Sequence, residues 1–146
     1  MINTYIPYLK NNEKSFLLNC LKSSFISTAG PKVGEFEKLF SKKYKFKYSV
    51  AVNSGTSAIH LALLSLGVVA DDIVIVPTYT FAATANAVRY TGASPWFFDC
   101  DKDLVLDLDK LEISLKKQTI LKSNKLIDKD TGKVIKAIIP VQTFGK

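Results

Sequence analysis

Along residues 11–22 polar and apolar positions alternate at helical spacing, and Phe16, Leu17, Cys20 and Leu21 fall on one face. That spacing predicts an amphipathic helix. The next nine residues, Ser-Ser-Phe-Ile-Ser-Thr-Ala-Gly-Pro at 23–31, are rich in turn formers and small hydroxyl residues, so they predict a loop. A second helix follows, with Val33, Phe36, Leu39 and Phe40 expected inward and Lys38, Lys42 and Lys43 outward. Residues 49–52 (Ser-Val-Ala-Val) form a short β-prone run that ends at Asn53-Ser54-Gly55-Thr56-Ser57. The largely apolar stretch 58–66 then predicts a helix stopped by Gly67. Further on, Ile73–Pro77 is a continuous apolar strand, Ala82–Tyr90 a helix of small residues, and 95–99 a third strand. A helix over 108–116 precedes a lysine-rich stretch, 118–133, whose Asp130-Thr131-Gly132 marks a turn. That stretch predicts a surface excursion or a hairpin, and the last strand falls at 137–141.

Uniformly apolar strands separated mostly by helices belong in an α/β fold, where a mostly parallel sheet is covered on both faces by crossover helices. No internal repeat or low-complexity tract interrupts the pattern. Residues 1–48 are expected to hold the two N-terminal helices and their loop, and 49–146 the start of the α/β sheet.

Composition agrees with a globular chain: 146 residues, 47% hydrophobic and 23% charged. No run approaches the ~20 apolar residues of a membrane span, and the first five residues lack the charged and apolar regions of a signal peptide, so a cytoplasmic protein is expected. Cys20 and Cys100 form no CxxC pair, which points to two buried thiols and to no metal site. The net charge of +7 raises the question of nucleic acid. The lysines at 42, 43, 45 and 47 and those from 116 to 136 are accompanied by no arginine, the chain's single one being Arg89. Readers of bases use arginine forks with exposed aromatics, so a solvated lysine-rich surface is expected and a nucleic-acid partner is not.

The segment richest in chemistry is Asn53-Ser54-Gly55-Thr56-Ser57. It joins a strand end to a helix start, where the first N–H groups lack internal partners, the helix dipole is positive, and glycine lets backbone approach an anion. Ser54 or Thr56 capping the helix explains the same residues without a ligand. Neither GxxxxGK[ST] nor GxGxxG is present. His60, the lone histidine, is expected to be packed and hydrogen-bonded rather than catalytic.

Neighbouring motifs add the context. With NSGTSAIHLAL at 53–63, VPTYTFAATANAV at 76–88, GASPWFFD at 92–99, AIIPVQTFG at 137–145 and FISTAGPKVGEFEKLF at 25–40, the chain resembles the DegT/DnrJ/EryC1/StrS sugar aminotransferases over nearly its whole length. The resemblance implies the N-terminal part of the large domain of a fold-type-I transferase that depends on pyridoxal 5′-phosphate. It implies that Gly55, Thr56 and Ser57 hold the cofactor phosphate, and that Phe81 stacks on the pyridine ring, an aromatic face suiting a flat electron-poor ring. Phe25, Ile26, Ser27 and Thr28 match the loop that meets the nucleotide-sugar substrate in related enzymes.

The family's acidic partner of the ring nitrogen and its cofactor-anchoring lysine belong to later motifs, so no catalytic residue is assigned, and Lys146, Asp99 and Asp101 match neither. The chain is therefore expected to be a truncated piece, inactive alone. Transfer of an amino group, with glutamate as donor, to a 4-keto nucleotide sugar in surface-polysaccharide biosynthesis is the implied activity of an intact relative, working as a homodimer. A family member with a dehydratase or regulatory role, or a nonenzymatic nucleotide-sugar or phosphate-binding module, are the alternatives. Gln142 stands where many relatives have His, and Ala70-Asp71-Asp72 where Gly-Asp-Glu is common. The stretch 121–136 resembles the branch that aminates UDP-linked 4-keto-6-deoxy-N-acetylhexosamines, on routes to legionaminic-acid-type or bacillosamine-type sugars.

Overall fold

The computed structural model describes residues 6–145; the first five residues, read above for a signal peptide, and Lys146 lie outside them. The chain divides into two compact units, Met1–Ala51 and Val52–Lys146. In the first, helix α1 spans Glu13–Ser23 and α2 spans Pro31–Tyr44. Pro31 opens α2, where its missing N–H costs nothing. The faces expected inward are exposed instead: Phe16, Leu17 and Leu21 on α1, and Phe36, Leu39 and Phe40 on α2. Neither helix contains a buried residue, and among the described residues of this unit there is no strand for an apolar stripe to cover. Cys20 and Cys100 are free and half-buried, a correction to the buried reading.

No strand forms over residues 49–52. The Ala51 N–H, a group a ladder would use, donates instead to Glu37 Oε1 of α2 at 2.8 Å, and the Ser49 side-chain hydroxyl donates to the Glu37 carbonyl at 2.6 Å. Val50 is left exposed.

The second unit is built on a three-stranded parallel sheet, in the order β2-β1-β3, with β1 at Ile73–Pro77, β2 at Ser94–Phe98 and β3 at Ile135–Ile138. Central β1 is buried at every position. Its alternation divides the core: Val74 and Val76 meet Leu63, Ala87 and Val88, while Ile75 meets Phe98, Leu106 and Leu111 on the other side. Leu63 comes from α3 (Gly55–Ser65), Ala87 and Val88 from α4 (Ala82–Tyr90), and Leu111 from α5 (Leu108–Gln118). Helices thus cover both faces, as continuously apolar parallel strands require. The last strand lies two to three residues earlier than its apolar run suggested; the ladder bond from the Ile139 N–H to the Ile75 carbonyl continues it, and Pro140, lacking an N–H, ends it.

The lysine-rich stretch is a hairpin, Thr119–Lys122 paired antiparallel with Lys125–Asp128, turning through Ser123 and Asn124 at positive φ. Asp128 Oδ2 then accepts the N–H and hydroxyl of Thr131, fixing the turn that the Asp-Thr-Gly motif marked.

Gly92 joins α4 to β2 at φ +85, and a Cβ there would lie 3.0 Å from the Cβ of Ala70. Gly92→Ala meets both strain and a clash, so urea unfolding is expected to show a loss of more than about 1 kcal/mol.

Asp107 caps α5, accepting the Lys110 N–H, and that backbone bond, aided by the Lys110 ammonium, holds its carboxyl below the usual carboxylate range. A depressed carboxyl stabilises the fold fully above its unfolded pKa, and the contribution fades as pH falls through the folded value. Acid titration of stability should therefore show a low-pH loss that Asp107→Asn, which still caps, diminishes.

Candidate active site

From β1 the chain passes through α4 to β2 on one side, and from β2 through α5 to β3 on the other side of β1. The order reverses at β1, and in open α/β sheets ligands bind where it reverses, outside the carboxyl ends of the strands. There the segments after β1 and β3 enclose a cleft of about 440 Å³ lined by Tyr79, Thr80, Phe81, Val141, Thr143 and Phe144.

Phe81 is the N-cap residue of α4 and is 83% exposed. Its backbone is set locally: its carbonyl accepts the Thr84 N–H at 3.0 Å, and the hydroxyls of Thr80 and Thr84 lie 2.8 Å apart. An apolar ring so exposed at the mouth of a cleft is available to a flat ligand.

Gly55, Thr56 and Ser57 form the first turn of α3. Ser54 caps it, its hydroxyl oxygen accepting the Ser57 N–H at 3.1 Å, and the Ser57 hydroxyl donates to Asn53 Oδ1 at 2.8 Å. Among the described residues the N–H groups of Gly55 and Thr56 have no acceptor, and a Cβ built on Gly55 meets nothing within 4 Å. Capping therefore accounts for Ser54, Ser57 and Asn53 but leaves two amide donors beside open space. Replacing Ser54 by Ala should cost about 1 kcal/mol in thermal or urea unfolding.

Helix α3 packs against α4, with the His60 ring 5.8 Å from that of Tyr90 in an edge contact. His60 is a half-buried packing residue. Both candidate groups thus stand at starts of packed helices, although the Gly55 turn does not itself line the Phe81 cleft. In the first unit, Phe25, Ile26 and Ser27, without Thr28, line a separate cleft with Leu17, Cys20, Leu21 and Lys32.

The acidic residues after β2 are occupied with structure. Asp99 Oδ2 lies 3.4 Å from Lys110 Nζ, and this contact is the main reason that the Lys110 ammonium is held above its usual range. Asp101 Oδ1 accepts the N–H groups of Asp103 and Val105. Tyr79, Thr143 and Phe144 were not singled out by motif reading, although PTYTF and VQTFG contain them at the two strand ends that meet.

The sequence matches the DegT/DnrJ/EryC1/StrS aminotransferase family over residues 7–146. The chain belongs to that family. It is 37% identical over 146 residues to the GDP-perosamine synthase of Caulobacter vibrioides, covering 99% of this chain and 35% of that protein. The fold superposes on a DegT DnrJ EryC1 StrS aminotransferase from Brucella abortus with a TM-score of 0.74 and 30% identity, covering 90% of this chain and 33% of the other. NtdA from Bacillus subtilis with bound cofactor PMP matches with a TM-score of 0.69 and 28% identity, over 100% of this chain and 32% of that one. The chain therefore spans about a third of the length of the curated relatives it matches.

Its α/β fold is that of pyridoxal-phosphate-dependent aminotransferases, and the family's cofactor is pyridoxal 5′-phosphate. The chain's own chemistry fits this group: two unengaged amides at a helix start suit a phosphate, and an exposed ring suits a flat heteroaromatic. Among the described residues no helix is long and apolar enough to cross a membrane, and no cluster of side chains suits a metal ion.

Proposed function

We propose that this segment supplies the phosphate-holding and ring-covering part of an aminotransferase that moves an amino group from glutamate to a 4-keto nucleotide sugar in surface-polysaccharide biosynthesis. The observation that carries the reading is the pair of unengaged amides at Gly55 and Thr56 on a helix that packs against the one begun by Phe81. In this reading the Gly55 and Thr56 N–H groups and the Thr56 hydroxyl bind the phosphate, and the Ser57 hydroxyl joins them by turning away from Asn53 Oδ1. Phe81 covers one face of the ring and excludes water from it. Bound pyridoxal phosphate supplies an electron sink that makes a proton next to the transferred nitrogen labile. The segment itself contributes binding and orientation, and we assign it no proton-transferring residue.

Phe25, Ile26, Ser27 and Thr28 are proposed to meet the sugar nucleotide. The named GDP-perosamine synthase favours a nucleotide-linked sugar, and by its wording a GDP-linked one over the UDP-linked branch that residues 121–136 resemble. A homodimer in the cytoplasm completes the proposal.

The protein carrying this segment, loaded with pyridoxal phosphate, should lose the cofactor's visible absorbance on adding glutamate. A 4-keto nucleotide sugar should then restore it, with one aminated sugar formed per 2-oxoglutarate. Absorbance that ignores both compounds would overturn the reading.

A further inference from the structure

The cleft at the ends of β1 and β3 contains a second exposed aromatic residue whose backbone is held in an unusual state. Phe144 is 88% exposed and sits at φ 55, ψ 22, a left-handed conformation disfavoured for residues with a Cβ. Local and distant bonds hold it there. The Gly145 N–H donates to the Gln142 carbonyl at 3.1 Å, and the Thr143 hydroxyl donates to the Leu104 carbonyl at 3.0 Å.

Leu104 is itself left-handed, at φ 62. Its loop is braced by Asp101, whose carbonyl accepts the Leu104 N–H and whose Oδ1 accepts the N–H groups of Asp103 and Val105. The loop after β2 therefore clasps the loop after β3, although β1 lies between those strands. The ring it positions lines the Phe81 cleft. Disfavoured backbone kept by several bonds at a ligand-gathering sheet edge is a mark of a built contact.

We propose that Phe144, held by the Thr143–Leu104 clasp, is a second aromatic contact for the flat, phosphate-bearing heteroaromatic ring bound in the Phe81 cleft, with Thr143 as its positioning residue. The inference rests on the proposed cofactor site and adds to it a role for the loop after β3. Thr143 acts only through Phe144.

Pyridoxamine 5′-phosphate is the suitable probe, because it lacks the aldehyde that would react with the chain's lysines. Its binding to the protein carrying this segment can be followed by the anisotropy of its own fluorescence. Phe144→Leu, which removes the aromatic ring but keeps an apolar side chain, should weaken binding about three- to tenfold, and Phe144→Tyr should not. Thr143→Val should weaken it less, and the double variant should bind no worse than Phe144→Leu alone. Far-UV circular dichroism should stay unchanged throughout, since the ring is exposed. If Phe81→Leu weakens binding and Phe144→Leu does not, this inference falls while the cofactor site stands. Losses at 143 and 144 that simply add would remove Thr143 from the account. A wild-type protein carrying this segment that does not bind the probe would overturn the cofactor site and this inference with it.

Discussion

Gly55→Val is expected to leave the chain folded and to lower its affinity for pyridoxamine 5′-phosphate by about tenfold or more. The two halves of this expectation have separate causes. A Cβ at Gly55 meets no atom within 4 Å, and the residue's φ is not in the left-handed region, so the first side-chain carbon meets neither clash nor backbone strain. The same open space is where an anion would approach the Gly55 and Thr56 amides, and a branched side chain there holds it away. A hydrogen bond to a charged group contributes about 1.5–3 kcal/mol, and about 1.4 kcal/mol is a tenfold change in binding. Fluorescence titration should register the loss while the urea midpoint moves little. Unchanged affinity in a folded Gly55→Val chain would remove the phosphate from this turn.

Val76→Asp should have the largest effect on stability. Val76 lies in the middle strand of the parallel sheet, is fully buried, and faces the apolar cluster of Leu63, Ala87 and Val88. An aspartate there is shut off from water, and the rest of the cluster, Val68, Val74 and Ala93 with Ile59, Ala137 and Ile139 against it, is apolar. Burying an unpaired carboxylate costs at least several kcal/mol even after it takes up a proton. Domains have only about 5–15 kcal/mol of stability in all. Cooperative thermal unfolding followed by circular dichroism should therefore disappear, whereas Val76→Ile, apolar and larger by one methylene, should retain a cooperative transition. A well-folded Val76→Asp chain would mean that β1 is not the centre of the core.

Where the pattern was unambiguous, the chain's elements were legible to the residue. Ile73–Pro77 is continuously apolar and ends in proline, and Ala82–Tyr90 is a run of helix-compatible small residues bounded by Phe81 and Thr91; both form as expected. The run at 49–52 had the composition of a strand, but its backbone bonds to Glu37, a partner that no local pattern reveals. Lys136 interrupts the apolar run of the last strand, which is why its start at Ile135 was not anticipated. The apolar faces of α1 and α2 were legible as faces, while what covers them is not a local property.

Legibility of the candidate site divides in the same way. Glycine and hydroxyl residues at a helix start make Gly55–Ser57 a candidate that capping explains as well, and the family motifs around it decide for a phosphate, as they do for Phe81. The clasp was not legible, because it depends on a hydroxyl-to-carbonyl bond across 39 positions and on left-handed backbone at Leu104 and Phe144, which residue type disfavours rather than signals.

Amide chemical shifts measure the central claim directly. In a ¹⁵N-labelled chain titrated with pyridoxamine 5′-phosphate, the Gly55 and Thr56 N–H resonances should show the largest movements, saturating together with those of the Phe81 segment. Movements confined to the lysine-rich hairpin at 119–128, with Gly55 and Thr56 unmoved at saturation, would contradict the account.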